Sequence, residues 1–287
     1  MMIKSRYTII LLISCLLLTN QFQAQFKNDF HAGLYNISFG GFVGGIGAII
    51  NKNPNDKLGK VFLKGFGQGA LGGYMLFESK RLVGKFSKTG NYAYVWPSKI
   101  VNAAGVSIIE NASANRQFWE QWHLNIGFNR FEFYTQDKFT VSYRIMPFAL
   151  GETISAFTQG KLDFSESIKT GTFVFDVDHI KTTVNIIVDG GSSDNIILLT
   201  TNHSFNREIT LAHELIHVYQ YESFSGLNPY LDKPLYHLNS NKKWARSYHK
   251  IFYTDFNHLT FQGLYSLYKN YYYNFYENEA YYYSRQY

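Results

Sequence analysis

The chain has 287 residues, a formal net charge of +6 and a single cysteine, and aromatic side chains make up 18% of it. That length fits one large or two modest domains, and a lone Cys15 excludes a scaffold built on disulfides. The basic residues are spread along the chain with no dense Lys/Arg cluster, so no nucleic-acid partner is expected.

The N-terminus carries Lys4 and Arg6, then an apolar run from Tyr7 to Leu18, then polar residues up to Gln25. A charged start, a short apolar core and a small residue near the end predict a signal peptide over residues 1–25. Leu12-Ile13-Ser14-Cys15 is similar to a lipoprotein-attachment box, but Leu16 to Leu18 continue the apolar run beyond it. The expected location is outside the cytoplasm: periplasmic, outer-membrane-associated or secreted.

No charged residue interrupts Ala32 to Ile50, and Gly40/Gly44 and Gly41/Gly45 are spaced to let helices approach closely. After a Pro/Asn-rich turn at 51–56, Val61 to Phe77 repeats the theme with Gly65, Gly69 and Gly73. The pair reads as a glycine-zipper helical hairpin, either buried in the protein or associated with a membrane through residues 32–77. Dilution of the apolar runs by glycine, Asn36, Lys64 and Gln68 favours the buried form. Residues 78–91 read as a charged loop and Lys99 to Ala112 as a helix. Together these form a glycine-rich helical region, 26–116.

From Trp119 the pattern changes to period two, through His123–Tyr134, Phe139–Met146 and Gly171–Val177, which predicts an antiparallel sheet with one buried face. Thr182–Val188 and Asn195–Thr201 read as strands joined by a turn over Asp189–Ser193. Ser204 and Asn206 are candidate N-caps for a helix over Arg207–Tyr221, with Ile209, Ala212, Ile216 and Tyr219 as its apolar stripe. After a loop-like stretch over 223–240, Lys242–Tyr253 and Thr260–Ser284 read as helices. The fold class expected for 117–287 is α+β.

The predicted helix at 207–221 carries His213-Glu214-Leu215-Ile216-His217, a match to H-E-x-x-H. Residues four apart share one helix face, so His213 and His217 can direct both imidazoles at one zinc ion. Glu214, offset by one position, can take a proton from an attacking water without ligating the metal. A catalytic zinc needs a third protein ligand. The extended pattern ending in a third histidine fails, because Gln220 and Ser223 occupy the glycine and histidine positions.

Downstream, Asn278-Glu279-Ala280 resembles the N-E-A motif of thermolysin-like and other gluzincin peptidases. The resemblance covers two short segments and implies a zincin-like catalytic part over 117–287. It further implies zinc held by His213, His217 and Glu279, Glu214 as general base, and a peptide or protein as substrate, with the strand Asn195–Thr201 as the candidate edge on which an extended peptide lies. Two departures stand out. Tyr283 occupies the place of the family's orienting aspartate, and Glu277, two residues before Glu279, is an alternative ligand. Candidates for a transition-state donor are Tyr219, Tyr221, Tyr281, Tyr282, His237, His249 and His258. The competing expectation is a non-enzymatic envelope protein in which the hairpin is the working part and any zinc is structural or vestigial.

Overall fold

Asn28 opens the first helix, its side chain accepting a hydrogen bond from the His31 amide at 3.1 Å, as an N-cap should. This is α1, Asp29–Ile50, and a short turn leads into the long α2, Leu58–Thr89. The structure is a computed structural model that describes residues 28–180, 188–202, 206–231, 242–268 and 273–286. The expected signal peptide, His237 and most of the expected strand 182–188 lie outside the described residues.

The expected helical hairpin is present, and glycine sets its spacing. A methyl group on Gly69 would lie 2.1 Å from the Gly40 carbonyl oxygen, and one on Gly73 would lie 2.1 Å from that of Asn36. The two backbones are therefore in contact where any side chain would separate them. A third helix, α3 (Val95–Ser113), crosses α2 in the same way at Gly72 and Gly105.

The segment 78–91, expected to be a loop, continues α2 instead. Leu76, Phe77, Lys80, Val83, Phe86 and Ser87 are buried at helical spacing, while Glu78, Arg81, Lys85 and Lys88 fall between them on the outer side. The dense charge is the solvent face of an amphipathic helix. That helix ends at Gly90, in the left-handed conformation with φ +63°.

A three-stranded antiparallel sheet follows: β1 (Gln121–Ile126), β2 (Asn129–Tyr134) and β3 (Thr140–Ile145). The long alternating run 123–134 is thus a hairpin, turned at Gly127 with φ +55°. Residues 147–170, for which the sequence pattern suggests no element, form α4 (Pro147–Gln159), β4 (Gly160–Asp163) and α5 (Phe164–Thr170). Proline starts α4, and the Asp255 carboxylate accepts from the Phe148 and Ala149 amides at its end, at 3.2 and 3.1 Å.

A second sheet has the order β4-β5-β7-β6, with β5 at Phe173–Val177, β6 at Gly190–Ser193 and β7 at Ile196–Thr200. β5 and β7 run parallel, and the other pairs are antiparallel. Two expectations need correction. The glycine-rich segment expected as a turn is itself the strand β6, and the chain reverses at Asp194-Asn195, with Asp194 at φ +51°. The strand expected at the sheet edge, β7, lies inside it; the edge is β6.

The remaining helices are α6 (Arg207–Ser223), α7 (Lys243–Ile251), α8 (Phe256–Ser266) and α9 (Phe275–Gln286). α6 is buried on every side from Thr210 to Ser223, not along one stripe. Its Leu211, Leu215 and Val218 share a core with Phe77, Val83 and Phe86 of α2, Ile197 and Leu199 of β7 and Ala280 of α9. The architecture is α+β, mostly helical, and the glycine-rich hairpin packs directly on the helix that carries the H-E-x-x-H motif.

Candidate metal centre

Asn206 caps α6, its side chain accepting from the Glu208 and Ile209 amides at 2.8 and 3.2 Å. One turn separates His213 from His217, and their Nε2 atoms lie 3.1 Å apart. Glu277, in the first turn of α9, completes a buried cluster with them. Its Oε2 is 3.2 Å from His213 Nε2 and its Oε1 is 3.3 Å from His217 Nε2. Donors on a tetrahedral zinc at its usual bond lengths are separated by about 3.3 Å, so the spacing suits that ion.

The hydrogen bonds around His217 decide what its ring offers. Gln220 donates from Nε2 to the Tyr276 carbonyl and to Glu279 Oε2, both at 2.9 Å. Its Oε1 therefore faces His217 Nδ1, at 2.8 Å, as an acceptor. Nδ1 must be the protonated nitrogen, and neutral His217 turns a bare Nε2 lone pair toward His213 Nε2 and Glu277. A lone pair facing a carboxylate in a buried site is satisfied by a shared proton, on His213 or His217 Nε2, or by a metal cation.

The charge balance of the cluster points the same way. Burial opposes charge on His217, yet the Glu277 carboxylate, its hydrogen bond and Glu214 raise the imidazole pKa to about 9. Burial likewise opposes charge on Glu277, but His217 and His213 hold that carboxyl far below the usual carboxylate range. The cluster favours positive charge, whether a proton or a metal supplies it.

Glu214 stands apart from the three donors. It faces the edge strand, where a methyl on Gly190 would lie 2.8 Å from Glu214 Oε1, and it hydrogen-bonds the Ser192 side chain. Burial, reinforced by Glu277, raises its pKa against the opposing pull of His213 and His217. A buried carboxylate with raised proton affinity beside a candidate metal cluster has the properties of a general base.

Glu279, the residue aligned with the N-E-A motif, does not join the cluster. Two residues along a helix turn the side chain by about 200°, so Glu279 points away from Glu277 and into the hairpin. Its Oε1 accepts from Lys80 Nζ at 2.7 Å and from Asn36 Nδ2 at 3.1 Å. Its Oε2 accepts from Gln220. The third donor is Glu277, and Glu279 belongs to the hydrogen-bonded layer behind it. A chain of contacts thus runs from Lys80 through Glu279 and Gln220 to the Nδ1 of His217. Such outer contacts orient a ligating histidine and raise its basicity.

The donor candidates are scattered. Tyr219 is bonded to Ser98 at 2.7 Å, Tyr221 accepts from Gln262, and Tyr282 donates to Asp29 at 2.7 Å. His249 packs against Tyr248, while His258 is paired with Asp194 at 2.7 Å and stacked on Phe148. Tyr281 alone of these touches the cluster, its ring 4.6 Å from that of His213. Sequence reasoning missed Tyr265, which donates to Glu277 Oε1 at 2.5 Å. It also missed Lys80, whose burial nothing in the local pattern announces. The signal for Gln220 was its place one turn after His217.

Comparison of the chain with protein-family models, with curated proteins and with solved structures finds no match.

Proposed function

We propose that the protein is a metal-dependent hydrolase. Within that class we infer a zinc metallopeptidase of gluzincin type, exported from the cytoplasm and acting on peptide or protein substrates. The observation that carries this reading is the position of His217 Nε2, set by the Gln220 contact at Nδ1 and lying 3.1 Å from His213 Nε2 and 3.3 Å from Glu277 Oε1. The gluzincin plan of H-E-x-x-H plus a later-helix glutamate is kept, with Glu277 in place of the N-E-A glutamate.

His213, His217 and Glu277 would hold the ion, and zinc in such a site supplies a Lewis acid that polarises a carbonyl. Glu214 takes the proton from the attacking water and passes it to the departing amine, a transfer its raised proton affinity suits. Tyr265 steadies the Glu277 carboxylate. Among the described residues β6, beside Glu214, is the outermost strand on its side of the sheet, where an extended peptide can add as a further strand. Glu214→Gln should abolish hydrolysis and keep zinc, whereas His213→Ala should lose both; full activity in Glu214→Gln would sink the reading.

A further inference from the structure

The inner side of the hairpin is explained by packing and by the contacts of Asn36 and Lys80. Its outer side is not. Leu34 and Phe42 on α1, and Leu63, Leu71 and Tyr74 on α2, are large apolar side chains between 46% and 69% exposed. The two helices meet on this side, where the Phe66 ring of α2 lies over Gly41 and packs edge-on against Phe42 at 5.4 Å. Exposed apolar surface that spans two helices is a mark of an interaction site.

Charge is distributed unevenly along this face. Apart from His31, every charged residue between Phe30 and Phe77 falls between Lys52 and Lys64: four lysines and Asp56. Asp56 is engaged in the turn, accepting from the Asn53 amide at 3.0 Å. Lys60 and Lys64 stand at helical spacing with Gly67, Leu71 and Tyr74, so the basic tip and the apolar face form one stripe. At the far end the charges are paired, Arg81 with Asp29 at 3.1 Å and with Glu78 at 3.0 Å.

We propose that this face docks on an anionic lipid bilayer, with the apolar side chains at the acyl-chain boundary and Lys57, Lys60 and Lys64 on lipid phosphates. A surface that is apolar along its length and basic at one end matches a bilayer, which offers both chemistries in that order. The contact is peripheral. α1 is long and apolar enough to cross a membrane, but its other side is buried in the protein and holds Asn36 against Glu279. The inference stands independently of the metal reading.

The test places an environment-sensitive fluorophore at Leu71→Cys in a Cys15→Ser background, with a second label at the remote exposed Lys161→Cys as control. Vesicles of phosphatidylglycerol and phosphatidylethanolamine should blue-shift the label at 71 and expose it to lipid-borne quenchers, leaving the control label unchanged. Vesicles of phosphatidylcholine alone, or reversal of Lys57, Lys60 and Lys64 to Glu, should weaken the response at least tenfold. A label at 71 that stays aqueous with both vesicles would overturn the proposal. So would a response indifferent to the lysine reversal, or concentration-dependent shielding without lipid, which would assign the face to a second copy of the chain.

Discussion

Lys80 Nζ lies 2.7 Å from Glu279 Oε1, with both side chains buried. This ion pair joins the glycine-rich hairpin to α9 directly behind His213 and His217. Burial lowers the Lys80 pKa, and Glu279 pulls it back up. Removing one partner of a buried pair leaves an uncompensated charge and costs about 3–5 kcal/mol. Lys80→Met should therefore lower stability by that order in urea or thermal unfolding. Lys80→Met combined with Glu279→Leu should recover part of the loss, because neither charge is then stranded.

Glu279→Gln tests its role behind the ligand sphere. The amide keeps the shape but weakens the anchor on Gln220, and hence the orientation of His217. Losing such an outer contact typically costs 10–100-fold in metal affinity. The expected outcome is one zinc per chain still bound, with affinity reduced by that order, measured by chelator competition.

The hairpin makes its own demand on the sequence. Gly69→Ala would place a methyl 2.1 Å from the Gly40 carbonyl oxygen, a backbone atom that cannot rotate away. The helices must part, and Asn36 and Lys80 move with them. Gly69→Ala should destabilise the protein by about 3 kcal/mol, within the range for overpacked sites, and should also weaken zinc binding. Gly67→Ala is the control: nothing lies within 4 Å of a methyl there, so stability should hold or rise slightly.

A pH dependence independent of the metal arises at the first sheet. Burial, aided by Arg130, lowers the His123 pKa from 6.5 to about 4. Unfolded His123 takes up a proton below pH 6.5 while the folded residue does not, so stability should fall as pH drops from 6.5 to 4. The effect of this residue is at most about 3 kcal/mol. Below that, Glu132 adds to the loss: burial raises its carboxyl, but Arg130 and Arg144 outweigh burial and hold it at about 2, against 4.5 when free. Asp255, pushed by burial to about 6, acts in the opposite sense between pH 3.8 and 6. Melting temperatures of wild type and His123→Leu, compared from pH 7 to 4, isolate the histidine: the decline should be shallower in the variant.

Much of the frame was legible in the amino-acid order. Glycines at four-residue spacing announced the hairpin, period-two alternation announced β1 to β3 and β5, and H-E-x-x-H with Asn206 before it announced the capped helix on which His213 and His217 converge. The failures have physical causes. Residues 78–91 look like a loop because the charged face of an amphipathic helix resembles one when its buried partners are small or cationic, as Ser79, Lys80 and Ser87 are. Gly190 and Gly191 look like a turn, but they stand in a strand, where Gly190 leaves room for Glu214. Glu277 and Glu279 sit in one short motif, and only the orientation of α9 between α6 and the hairpin decides which of them faces the histidines. That orientation depends on Lys80, some 200 residues away, which no local pattern reveals.

Metal analysis of the purified protein decides whether His213, His217 and Glu277 hold a zinc ion. The prediction is about one zinc per chain in wild type, zinc lost in Glu277→Ala, and zinc retained in Glu279→Gln. No zinc in the wild type after incubation with the ion, or full zinc content in Glu277→Ala, would contradict it.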